Sequence, residues 1–251
     1  MVFLLKKFKS NVLLGLLLVA LSVILFSLQI TYFRASRDTF FYLLQDLAFL
    51  PLQILIVTLV LEQILRAREK RDKLRKIKVV MSAFFIEAGS QTIRLLSEYV
   101  QNTCQLKELL LMQANWKEED FKAAFKTLRN FDYDMQSQTG NLMVLRDFLK
   151  EKKVFMLGMF ENPYILEHDA FTDMLWATFH VSDELESRDT LELLPKTDYV
   201  HLSGDMKRAF RFLLVEWLDY MKHLQKEYPY LFSIALRKNP LGDRCSVIIQ
   251  E

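Results

Sequence analysis

Histidines and carboxylates at helical spacing are the residues of this chain best suited to hold a cation. Asp169, Asp173, His180 and Glu184, with Trp176 among them, recur at intervals that put them on one face of a helix. Asp198 with His201, in the stretch DYVH, and Asp219 with His223 could add ligands from another helix. Di-metal bundles, however, use Glu-x-x-His from two helices together with two further glutamates. No Glu-x-x-His occurs in this sequence. Asp169, Asp173, His180 and Glu184 therefore read as a solvated polar face, and no metal or other cofactor is expected. The stretch DYDMQSQTG, residues 132–140, starts like a calcium loop. It lacks glycine at the sixth position, and the twelfth is Met143, which cannot ligate calcium. G-x-S-x-G, H-E-x-x-H and glycine-rich phosphate loops are all missing, so an enzyme is not expected.

A second chemical feature is an acid in apolar surroundings. Asp46 stands in FYLLQDLAFLPLQI, residues 41–54, within the otherwise apolar run 39–61. If that run crosses a bilayer, Asp46 lies about 10 Å inside it. A carboxylate facing lipid at that depth costs at least a few kcal/mol, so it must meet protein or water, or be protonated. Gln53 follows two helical turns later, nearly in line, and Pro51 between them predicts a kink near residues 47–51. The stripe fits a helix that meets copies of itself or lines a wet path. It equally fits an interhelical hydrogen bond, or an ion pair from Asp46 to Arg34 or Arg37 at the outer mouth.

These positions require membrane helices to hold them. Residues 11–33 are 23 in number and uncharged, long enough to span a hydrocarbon core. The run is too long for a signal-peptide core and no A-x-A site follows, so it reads as an uncleaved first span. Residues 39–61 form the second span. Only RASRD, residues 34–38, separates the two, which predicts an antiparallel helical hairpin. Lys6, Lys7 and Lys9 precede the first span. After the second come Arg66, Arg68, Lys70, Arg71, Lys73, Arg75, Lys76 and Lys78, eight bases against two acids in RAREKRDKLRKIK. The positive-inside rule places both termini in the cytoplasm, as expected for a multi-pass plasma-membrane protein. The basic run reads as a topology signal touching anionic headgroups, not as a nucleic-acid site, because it abuts a span and no aromatic residues interleave it. A potassium-channel filter cannot be built from five connecting residues, so any pore would be lined by the helices themselves.

The remainder predicts an all-α architecture: a short basic N-terminus (1–10), the hairpin, a juxtamembrane long helix (62–104) and a cytoplasmic helical domain (105–251). The chain has 251 residues with only 6 Gly and 5 Pro, which suits long helices and not turn-rich sheets. Cys104 and Cys245 lie too far apart for a metal motif or disulfide framework, which fits a reducing compartment. Leu74, Ile77, Met81, Phe84 and Phe85, then Leu95, Leu96, Tyr99 and Val100, predict one core-facing stripe. Further helices are predicted from Asn115 as an N-cap, over 141–160 after Gly140, over 168–187, from Ser203 to the stop at Pro229, and over 231–238. The tail CSVII could pair as an edge strand.

EYPYLFSIALRKNP, residues 227–240, crowds Tyr228, Tyr230, Leu231 and Phe232 around Pro229. This stretch, together with the hairpin layout, resembles the C-terminal segment of uncharacterised prokaryotic two-span membrane proteins, and the resemblance implies no activity. The expected function is a homo-oligomeric membrane protein with an ion path lined by the second span, Asp46 setting ion preference. The alternative is a membrane-anchored module that recruits a cytoplasmic protein partner without transport. A metal-dependent enzyme at 169–184 is a third and lesser reading.

Overall fold

In the computed structural model, residues 20–31, 36–110 and 112–242 are described. They are all-α: among them no strand occurs, only a single antiparallel bridge between Val100 and Met135. Lys6, Lys7, Lys9, Arg34, Cys245, the first part of the run 11–33 and the tail CSVII lie outside the described residues. The chain divides into two units, Met1–Glu69 and Lys70–Glu251.

In the first unit, α1 (Ala20–Thr31) is a short apolar helix. Its hydroxyls serve its own backbone: Ser27 Oγ donates to the Val23 carbonyl and Thr31 Oγ1 to the Ser27 carbonyl, both at 2.8 Å. Helix α2 (Ser36–Phe84) begins in this unit, with Pro51 inside it. Among the described residues it belongs to the one helix that is long and apolar enough to cross a membrane by length and composition. Eighteen large apolar or aromatic side chains between Phe40 and Leu65 are exposed. The Arg66 guanidinium pairs with Glu62 one turn back.

The second unit has a continuous hydrophobic core. Ile77, Met81 and Phe84, from the last turns of α2, are buried in it. A π-helical turn, Phe85–Gly89, then leads into α3 (Ser90–Ser97). The stripe expected from the sequence is buried from Ile77 to Val100, but Leu74, its first member, is 42% exposed. Beyond α3 come α4 (Thr103–Leu109), α5 (Glu118–Asn130), α6 (Leu142–Phe160), α7 (Pro163–Leu166), α8 (Asp169–Glu186), α9 (Lys196–Glu227) and α10 (Pro229–Arg237). The 32-residue α9 is the centre, packed against α8, α5, α3 and α10, while α6 covers α8. Phe84 meets Phe171 of α8 edge-on with centroids 5.6 Å apart, and Phe85 stacks on Tyr220 of α9 at 5.1 Å. Aromatic contacts of this geometry add to the free energy of burial.

Local sequence explains most helix ends. Asn141 Oδ1 accepts from the Met143 and Val144 amides, and Asn162 Oδ1 from Tyr164, so both are N-caps. His168 Nδ1 caps α8 by accepting from the Phe171 amide at 3.2 Å. Two starts differ from the sequence expectation. Helix α5 begins at Glu118, not at an Asn115 cap, because Asp120 reaches back to accept from the Lys117 amide at 2.7 Å. Helix α9 begins at Lys196, well before Ser203: Pro195 sets the entry, and Gly204 is carried inside the helix. Of Tyr228, Tyr230, Leu231 and Phe232 around Pro229, Phe232 alone is buried, and Tyr230 is 67% exposed.

Candidate functional site

The earlier start of α9 matters because it puts His201 and Asp205 one helical turn apart, beside His180 and Glu184 of α8. His180 Nε2 lies 3.4 Å from Asp205 Oδ2 and 3.8 Å from Glu184 Oε1. His201 Nε2 lies 3.3 Å from Asp205 Oδ2 and 3.7 Å from Glu184 Oε2. Donor atoms of His180, Glu184 and Asp205 all fall within 4.8 Å of one another. The two helices thus contribute one His-x-x-x-carboxylate pair each, facing one another. The imidazoles are open to solvent, whereas Asp205 is 5% exposed.

Two arginines hold the rims of this cluster. Arg208 Nη1 is 3.3 Å from Asp205 Oδ1. Arg188 Nη1 donates to Glu184 Oε2 at 2.9 Å, while its Nε and Nη2 take both oxygens of Asp198. The Arg188 hydrogen bond holds the Glu184 carboxyl below its ordinary range, and the nearby His180 and His201 act in the same direction. Asp205 Oδ2, buried and facing both imidazoles, accepts no hydrogen bond.

Of the residues singled out in the sequence, His180, Glu184 and His201 come together, while Asp169 and Asp173 are exposed and stand outside the group. Asp198 is taken by Arg188, Asp219 by Lys78, and His223 packs edge-on to Tyr228. Asp205 was missed. Its signal is the His201/Asp205 spacing of four, visible only once the helix is extended back to Pro195.

A second polar group sits where α2 meets α9. Lys78 Nζ donates to Asp219 Oδ2, and Glu216 is buried nearby with an Oε2 that accepts no hydrogen bond. Burial lowers the Lys78 ammonium to about 8 and raises the Glu216 carboxyl to about 7; their mutual attraction opposes both shifts. Lys78 is therefore spent within the fold. Lys73 likewise lies 3.1 Å from Glu167, and Lys76 donates to the Tyr164 hydroxyl at 2.7 Å with its ammonium over the ring. Arg66, Arg68, Lys70, Arg71 and Arg75 of the basic run are exposed. On the apolar part of α2, Asp46, Gln53 and Arg37 are exposed as well.

Residues 73–237 match the family model described as the C-terminal helical domain of the uncharacterized protein MJ1433, and residues 6–65 match the N-terminal helical domain of the same protein. The uncharacterized protein MJ1433 of Methanocaldococcus jannaschii is 36% identical over 234 residues, covering 93% of this chain and 94% of that protein. No solved structure matches the chain. Neither family description mentions a membrane or an activity.

Proposed function

The chain belongs to the MJ1433 family, and we propose that it is a membrane-anchored all-α protein, two helices crossing the bilayer and the rest folded as a helical domain on the cytoplasmic side. The observation that carries this reading is the exposed apolar surface of α2 between Phe40 and Leu65. Removing eighteen such side chains from water is worth on the order of tens of kcal/mol, far more than a folded domain could forgo. An uncharged run of span length at 11–33 and an apolar one at 39–61 broken only by Asp46, with bases flanking both ends of the pair, orient the hairpin with its tip outside. Alkaline carbonate extraction of membranes that contain the full chain tests it. The chain should stay in the pellet, and release into the supernatant overturns the reading.

Within the membrane, Asp46 and Gln53 form the seam through which α2 meets other copies. In the protomer Asp46 has no hydrogen bond or ion pair among the described residues, and a carboxylate cannot rest against acyl chains at that depth at low cost. Asp46→Leu should shift the detergent-solubilised protein toward monomer; an unchanged mass sinks the seam. The same stripe supports a second reading, an ion path lined by α2 with Pro51 permitting bending. Ion flux into proteoliposomes that changes selectivity with Asp46→Asn supports a path. An oligomer without flux leaves the chain as an anchored module that recruits a protein partner.

A further inference from the structure

We propose that His180, Glu184, His201 and Asp205 bind one transition-metal cation of the zinc class, fastening α8 to α9. For bonds of about 2.0–2.1 Å, the ligand atoms of a tetrahedral zinc site stand roughly 3.4 Å apart. The four imidazole-to-carboxylate separations are 3.3, 3.4, 3.7 and 3.8 Å. They are long for charge-assisted hydrogen bonds, which close to about 2.7–2.9 Å; the three that run to Asp205 Oδ2 or Glu184 Oε1 are near the edges of a metal-centred tetrahedron, while the 3.7 Å one runs from His201 to Glu184 Oε2, the oxygen that Arg188 holds. The chemistry of the donors points the same way. Two imidazoles with two carboxylates suit zinc and its neighbours, and not magnesium or calcium, which take oxygen ligands.

The second, independent observation is Asp205. It is 5% exposed, its Oδ2 is aimed between the two imidazoles, and that oxygen accepts no hydrogen bond. An anionic oxygen in such a place costs stability unless a positive centre meets it. The other carboxylate oxygens have partners outside the site: Asp205 Oδ1 faces Arg208 at 3.3 Å, and Glu184 Oε2 accepts from Arg188 at 2.9 Å. Asp205 Oδ2 and Glu184 Oε1 remain for the cation. The two arginines oppose its charge, yet they also fix the carboxylates in orientation, as outer-sphere partners of metal ligands do. The exposed imidazoles give the ion a route in from solvent.

The test uses the tag-free full chain in detergent, stripped with a chelator and titrated with Co²⁺ while the visible spectrum is followed. Expected are the d–d bands of four-coordinate cobalt, saturating at one equivalent per chain and abolished by Zn²⁺ but not by Mg²⁺. His201→Ala and Asp205→Asn should each weaken binding by at least ~100-fold, with circular dichroism reporting an unchanged helical fold. Asp173→Asn and His223→Gln should bind as the natural chain does. The proposal is overturned if no saturable spectrum develops, or if the double variant His180→Ala/His201→Ala retains it. In either case the cluster is a network of imidazole–carboxylate ion pairs. Failure here leaves the membrane anchor untouched, because carbonate extraction does not read this site.

Discussion

Arg188 grips Asp198 with two parallel hydrogen bonds, Nε to Oδ2 at 2.8 Å and Nη2 to Oδ1 at 2.7 Å, and thereby ties the end of α8 to the first turn of α9. The same guanidinium holds Glu184. A fork-on-fork contact needs the planar geometry of arginine, which a lysine ammonium cannot reproduce. The pair is half-open to solvent, so screening limits its worth. Arg188→Ala should lower unfolding stability by about 1–2 kcal/mol, and Arg188→Lys should recover less than half of that. Chemical denaturation of the detergent-solubilised chain, followed by tryptophan fluorescence, measures both.

Much of the helical layout was legible in the sequence, because it rests on local chemistry. The period of Ile77, Met81, Phe84 and Phe85 announced a buried face, and the stretch 141–160 after Gly140 announced a helix, which the structure bears out. What was not legible depends on tertiary partners. Nothing in RAREKRDKLRKIK separates Lys78, which is half-buried against Asp219, from Arg75, which is exposed. Glu216 sits in the polar-looking pattern of α9 and only packing reveals that it is buried. The metal-type cluster was half legible: His180 and Glu184 share a face by spacing, but their partners His201 and Asp205 became a pair only when α9 was seen to begin after Pro195.

Burial of Glu216 gives stability a characteristic pH dependence. Its carboxyl rises from 4.5 to about 7 on folding. Between those values the folded chain holds a proton that the unfolded chain has released, so stability is fullest below about 4.5 and is lost as pH rises through about 7. Lys78 behaves in the opposite sense: with its ammonium lowered from 10.5 to about 8, stability rises between about 8 and 10.5. Together they place a minimum near pH 7–8. Glu216→Gln keeps the shape and removes the titration. It should flatten the decline between pH 4.5 and 7 and raise stability at pH 7.5 by about 2–3 kcal/mol. The difference between variant and natural chain is the quantity to plot, since it cancels His168 and His223, which burial also shifts. Parallel pH curves for the two proteins would refute the assignment.

Leu193 adopts φ 55, the left-handed region, in the loop between α8 and α9, and its side chain is 97% exposed. A β-carbon there meets the following carbonyl at a cost of roughly 1 kcal/mol, and the exposed leucine recovers nothing by packing. Asparagine tolerates the region far better. Leu193→Asn should therefore stabilise the chain by about 0.5–1 kcal/mol, seen as a raised denaturation midpoint with an unchanged slope.

Glycine-to-alanine substitutions inside helices should separate by sign. In an ordinary helix interior the change is favourable by about 0.5–1 kcal/mol, because alanine surrenders less backbone freedom. Gly158 of α6 and Gly204 of α9 have open space where a β-carbon would go, and both should gain that amount. Gly89, the last residue of the π-helical turn, is different: a β-carbon there would stand 2.5 Å from Phe84 Cε1 and 2.7 Å from Phe85 Cδ1. Neither ring can give way. Phe84 is fully buried edge-on to Phe171, and Phe85 is stacked on Tyr220. Overpacking a core costs about 1–3 kcal/mol, which outweighs the propensity gain. Gly89→Ala should thus destabilise by about 1–2 kcal/mol while its two counterparts stabilise. Denaturation of the three variants side by side measures the split, and a stabilised Gly89→Ala would mean that the turn relaxes into a regular helix when given a side chain.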